Sequence, residues 1–125
     1  MASQERTLAG YRREILKTNR RLRRITSKKG SLWERLSSEK TSLLEAMWVR
    51  CDHPEVAIGP VAMSGATPNA RIRQDIAVCR DCGFDATAGS REYRRVFRRS
   101  RKTRLSEGRF LIELGKIIRR TGINL

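Results

Sequence analysis

All three cysteines of this 125-residue chain, and its single histidine, fall into two short clusters, Cys51-Asp-His53 and Cys79-Arg-Asp-Cys82. The 25 residues between His53 and Cys79 leave room for the chain to run out and return as a hairpin, bringing the clusters face to face. Thiolate sulfur and imidazole nitrogen are the ligands that tetrahedral zinc takes, and four of them complete its coordination. Cys51, His53, Cys79 and Cys82 are therefore the candidate metal ligands, with Zn2+ the expected cofactor. Three cysteines cannot pair evenly, which argues against a disulfide scaffold and for a reduced compartment. The chain also needs a staple. With only 38% apolar and 6% aromatic residues, hydrophobic burial is thin for one modest domain, and a structural ion offsets that.

The periodicity of the flanking segments is helical. Leu8, Tyr11, Ile15, Leu22 and Ile25 recur at three- and four-residue steps, predicting a helix over 4–28 with one narrow apolar stripe. Arg6, Arg13, Lys17, Arg20, Arg24 and Lys28 fall on the opposite side. Gly30 is a stop signal, and Ser31 with Glu34 forms a capping-box pattern opening a second helix over 32–49. The two helices then make an antiparallel hairpin. The same apolar positions also fit one heptad frame, so a single long helix in a dimeric coiled coil is the competing layout.

From 51 to 89 the texture changes. Residues 55–63 and 70–78 are rich in Val and Ile, and Ser-Gly-Ala-Thr-Pro-Asn between them is turn chemistry. This predicts a β-hairpin whose outer ends carry the ligand pairs, with Gly59 and Pro60 making the first strand irregular or an edge. Beyond it, a basic helix over 91–101 capped by Ser90 is expected. A last helix capped by Ser106 follows, with Phe110, Leu111, Leu114, Ile117 and Ile118 on one face and Gly122 ending it. The expected class is α+β, mostly α: an N-terminal helical segment (1–49), a zinc-bound β-hairpin (50–89) and two C-terminal helices (90–125).

Charge narrows the choice of partners. The chain has 28 Lys plus Arg against 13 Asp plus Glu, a net charge of +15, a field that draws polyanions. Between 91 and 104 eight positive residues stand against one, Glu92, the density that phosphate contact requires. Candidate nucleic-acid-binding residues are Arg13, Lys17, Arg20 and Arg24 on the first helix and Arg91, Arg94, Arg95, Arg98, Arg99, Arg101 and Lys102 near the C-terminus. Arg71, Arg73 and Arg80 on or near the hairpin can reach base edges or rest on phosphates. Tyr93 and Phe97, one turn apart, either stack on bases or form the buried edge of their helix. Arg35 and Lys40 lie outside these clusters and are expected to matter less.

Cys79-Arg-Asp-Cys82-Gly83-Phe84 resembles the CxxCG turn of zinc ribbons, in which glycine permits the tight backbone around the sulfurs. Cys51-Asp-His53-Pro54 corresponds to the other turn, with a one-residue spacer shorter than the usual two to four. The likeness covers about residues 49–86 and implies a structural metal in a hairpin that serves nucleic-acid or protein contact. The combination is also similar to small phage-type proteins that join a helical N-terminal segment to a CxH…CxxCG unit. His53-Pro54-Glu55 with Cys79-x-x-Cys82 resembles, in addition, the HxE…CxxC signature of zinc nucleotide deaminases, with Glu55 as proton shuttle. Three features oppose deamination: Val78 stands where that signature has proline, Cys51 closes the coordination sphere, and Val-Ala-Ile-Gly-Pro-Val does not support the helix required after the glutamate. No Gly-rich phosphate loop or Ser-His dyad is present.

The expectation is thus a non-enzymatic, zinc-binding accessory protein for nucleic acid, DNA or RNA. The alternative is a protein-interaction module, such as a viral regulator of a host complex, docking through its helices with Trp33 or Trp48 as anchors. No secretory h-region or bilayer-length apolar run is evident, so an intracellular location without a membrane partner is expected, in the host cell if the protein is viral.

Overall fold

A computed structural model describes residues 7–25, 30–64 and 71–123 of the chain. Helix α1 spans Leu8–Arg23, opened by Thr7, whose hydroxyl accepts a hydrogen bond from the Gly10 amide. It is shorter at both ends than the periodicity predicts. Arg24 and Ile25 donate to carbonyls three residues back, the tight turn with which helices commonly finish, so Ile25 lies beyond the helix and Gly30 is not its stop. Arg6 and Lys28 lie outside the described residues.

Helix α2 spans Ser31–Arg50 with Gly30, not Ser31, as its N-cap and no side-chain capping bond. The expected capping box does not form, because Ser31 is already inside the first turn. The helices pack on each other with opposed directions: Arg50, at the end of α2, donates through Nε to the Tyr11 hydroxyl in the first turn of α1 at 2.9 Å. This is the hairpin layout rather than one continuous helix.

Strands β1 (Glu55–Ser64) and β2 (Arg71–Cys79) pair antiparallel, Val56 opposite Cys79 and Ser64 opposite Arg71. The predicted hairpin is present; Ser64, expected in the turn, ends β1, and residues 65–70 lie outside the described residues. A short β3 (Asp85–Thr87) adds to β2. Helix α3 (Arg91–Val96) is capped by Ser90 as expected, but it ends five residues early. The chain then turns and Arg101–Arg104 becomes β4, parallel to β1. The sheet order is β3-β2-β1-β4. The expected basic helix over 91–101 is therefore half helix and half edge strand. Burial of Phe97, which is fully enclosed, turns the chain, and bonds from the Arg101 amide to the Pro54 carbonyl and from Leu105 to Ile58 bind the segment to β1. Pro60 follows from the same topology: β4 pairs only with Glu55–Ile58, so Pro60, which has no N–H, sits where that side of β1 has run out of partner.

Helix α4 (Glu107–Thr121) ends at Gly122, φ 79°, in the left-handed conformation that glycine adopts freely. Side chains alternate across β1 and β2. Val56, Ile58, Ala77 and Cys79 join a core with Tyr11, Ile15, Met47 and Phe97; Ala57 and Val78 join a second with Phe110, Ile117 and Ile123. Both faces of the central strands are thus covered. Phe110 rests directly on Gly59, where any Cβ would lie 2.2 Å from its ring. Close helix-to-strand approach, rather than strand irregularity, explains that glycine. No helix among the described residues is long and apolar enough to cross a membrane.

Candidate metal centre and cationic surfaces

Three features of the chain bring the four ligands together. Helix α2 delivers Cys51 at its C-cap, where the Cys51 amide still donates to the Met47 carbonyl. The next turn places His53 at φ 51°, a left-handed conformation uncommon for a side-chain-bearing residue. That turn points the Cys51 sulfur back at its own loop, where the His53 amide donates to it at 3.3 Å. Cys79 closes β2, and the Cys79–Cys82 turn is held by reciprocal bonds from Cys79 to the Phe84 carbonyl and from Gly83 to the Cys79 carbonyl. Gly83 has φ 76°, and a Cβ there would strike Ile123, so both backbone and space require glycine. The Phe84 amide donates to the Cys82 sulfur at 3.5 Å.

All four side chains are buried, and their ligand atoms lie within 4.8 Å of one another. Cys51 Sγ is 3.8 Å from Cys79 Sγ, and Cys82 Sγ is 3.3 Å from His53 Nδ1. Metal–ligand bonds of zinc length at tetrahedral angles would give edges of about 3.8 Å between sulfurs and about 3.6 Å from sulfur to nitrogen. The quartet therefore has the donor chemistry and spacing for a metal ion. Among themselves the four groups cannot all shed their protons. Burial disfavours the His53 imidazolium, yet the Cys51 and Cys79 sulfurs outweigh it and hold that group up to about 9. The Cys79 thiol is drawn well below its ordinary value, chiefly by hydrogen bonding from Cys51, while Cys82 is pushed well above by Cys51 and Cys79. A divalent cation held there would supply positive charge that favours the ionised sulfurs.

The surroundings were less legible in the sequence. His53 meets Phe97 edge-on at 5.4 Å and Phe84 at 5.8 Å, while Trp48 packs edge-on against Phe84 at 5.5 Å. Trp48 also donates its indole N–H to the Cys82 carbonyl at 3.0 Å. An apolar wall and an outer hydrogen bond of this kind restrict water and fix the ligand turn. Trp48 is half-buried here rather than an exposed anchor. From α1, Arg12 reaches the Asp81 carbonyl through Nε at 2.9 Å, tying that helix to the CxxC turn. Glu55 is exposed and opens a strand, so the helix that the deaminase signature needs is not there.

The predicted cationic residues are brought to the surface in two separate places. Arg13, Lys17 and Arg20 are exposed on α1, which packs on α2 and α4, and Arg24 is exposed at its C-cap. Arg91, Arg94, Arg95, Arg98, Arg99, Arg101 and Lys102 are exposed along α3, the following turn and β4, which pack on β3 and β1. Arg94 bonds the Gly89 carbonyl at 3.1 Å and Lys102 the Ser100 carbonyl at 3.3 Å. Phe97 is wholly buried, and Tyr93 packs against it at 6.0 Å, so this pair forms the inner edge of its segment. Arg73 pairs with Glu107 at 3.2 Å and Arg80 with Glu113 at 4.0 Å; both carboxylates belong to α4, and these arginines clamp that helix to the hairpin. The side chain of Arg71 lies outside the described residues. Lys40, expected to matter less for nucleic-acid contact, is buried. In comparisons with known proteins, no family model, curated protein or solved structure matches this chain significantly.

Proposed function

We propose that Cys51, His53, Cys79 and Cys82 hold a structural Zn2+, and that the protein is a non-enzymatic accessory factor that binds the phosphate backbone of nucleic acid. The observation that carries the first half is the convergence of four buried sulfur and nitrogen donors within 4.8 Å. Four protein ligands leave no open position for a reactive water, which makes the ion a staple rather than a catalyst. The second half rests on the exposed arginines of α3, the turn and β4, in a chain of net charge +15. Arg91, Arg95, Arg98, Arg99 and Arg101 form no ion pair among the described residues, so their charges are free to meet phosphates.

Metal analysis and a salt titration test the two halves separately. Purified protein is expected to carry one zinc per chain, lost on changing Cys82 to Ser. Affinity for a duplex should fall with salt at a log–log slope of about −0.9 per phosphate contact. Charge reversal at Arg95, Arg98 and Arg101 should flatten that slope, whereas reversal at Arg35 should not. Negligible binding to DNA and RNA at low salt would refute the nucleic-acid reading while leaving the metal intact. Docking to a protein remains the second reading, favoured by adjacent Leu111 and Ile112, 56% and 61% exposed on α4. A partner retained after nuclease treatment and lost in Leu111→Ser/Ile112→Ser would select it.

A further inference from the structure

A groove of about 700 Å³ lies between α1, α2 and α4, against the CxxC turn. Its size falls in the range of small-molecule sites. Trp33, Lys40 and Trp48 line it along one side of α2, with Arg23 from the end of α1 and Arg119 from the end of α4. The anomaly is Lys40. It is only 7% exposed, and no carboxylate lies within ion-pairing distance of its amine among the described residues. Asp85 also lines the groove, but it forms no ion pair with Lys40. Buried lysines are almost always paired. Instead a like charge bears on it: burial first, and then the Arg23 guanidinium, hold the Lys40 amine below its ordinary range. Desolvated positive charge beside aromatic walls, with the lining's one carboxylate, Asp85, not paired to Lys40, makes a site that an anion would complete.

We propose that this groove takes a small organic anion with a planar apolar body, its negative group against Lys40 and Arg23 and its ring against Trp33 and Trp48. The anion would supply the charge that the fold withholds, and the indoles would cover the apolar body. Because Trp48 also donates to the Cys82 carbonyl, an occupant would bear directly on the ligand turn. The site is distinct from the cationic face of α3 and β4, and it stands whether or not that face binds nucleic acid.

Naphthalene-2-carboxylate and its neutral isostere naphthalene-2-carboxamide make the test, titrated into the purified full-length protein. Calorimetry gives affinity, and the two indole N–H resonances in a nitrogen-15 NMR spectrum report place. Expected are one saturable site, shifts of both indole signals, and the carboxylate bound at least about tenfold tighter than the amide, the scale of a charge-assisted hydrogen bond. In Lys40→Met that preference should shrink to about twofold or less. Ser37→Trp, which fills the groove from its α2 side, should abolish binding of both probes. Should Lys40→Met fail to fold, Arg23→Gln gives the same readout with a smaller loss of preference. The proposal is overturned by equal affinity for the two probes, by undiminished preference in the variants, by shifts confined to the exposed arginines, or by no saturable binding at millimolar concentration.

Discussion

Replacing Gly59 by alanine tests how the sheet is positioned. The new Cβ would sit 2.2 Å from Phe110 Cγ, 2.5 Å from its Cβ and 2.7 Å from Cδ1, where ordinary contact begins at 3.4 Å. Turning the ring cannot relieve this, since the Phe110 Cβ is itself within the forbidden distance. Helix α4 must instead retreat by about 1.2 Å, the difference between 3.4 and 2.2, against the fully buried Ile117 on the same face. Overpacking of this kind costs about 1–3 kcal/mol, and clash with three adjoining atoms of one side chain argues for the upper half. Lower entropy of the unfolded chain returns about 0.4–1 kcal/mol. The net is about 2 kcal/mol. At about 2.1 cal/mol/K per residue of unfolding entropy, that lowers the melting temperature of a chain this size by about 8 °C. Calorimetry at fixed free zinc measures it. Phe110→Leu should reduce the penalty when combined with Gly59→Ala, giving less than the sum of the single effects. If Gly59→Ala melts at or above the parent temperature, α4 does not lie on this strand as described.

Two further substitutions probe the groove and the ligand turn. Trp48→Phe keeps most of the apolar contact with Phe84 but strips the Cys82 carbonyl of its indole donor, and should cost about 1–3 kcal/mol in thermal unfolding. A change below the error of the measurement would mean that this hydrogen bond does not form. Lys40→Met should stabilise the protein near neutral pH, since the folded state now shelters a cation with no carboxylate partner among the described residues. The sign follows from linkage: the amine titrates below 10.5 in the folded chain, so the unfolded chain holds more protons between the two values. The penalty is fully present below the folded value and is lost as pH rises through it toward 10.5. The gain from Lys40→Met should accordingly shrink in alkaline solution; a gain independent of pH would assign it to packing rather than charge.

The cluster of candidate metal ligands could be read from the chain because it is encoded locally. Cys51 and His53 share one turn, Cys79 and Cys82 another, and strands rich in Val and Ile between them have few ways to fold except back on themselves. Helices α1, α2 and α4 were likewise legible, since the amphipathic period is written in consecutive residues. Their ends were less so. Ser31 and Gly30 offer adjacent caps, and sequence spacing alone does not choose between them.

Tertiary structure decided what depends on distant partners. Arg101–Arg104 has no apolar alternation and all four residues are exposed, yet it is a strand because backbone groups of β1 are available beside it. A parallel edge held by main-chain hydrogen bonds leaves no mark on side-chain periodicity. The isolation of Lys40 and the pairing of Arg73 and Arg80 with α4 are of the same kind. A basic residue looks alike in sequence whether water, a carboxylate or an apolar groove surrounds it, and only the packing of helices onto the sheet distinguishes the three. The sequence by itself therefore determined which atoms can grip an ion and which helices flank them, whereas the fold determined which basic side chains are exposed, which are paired and which are buried.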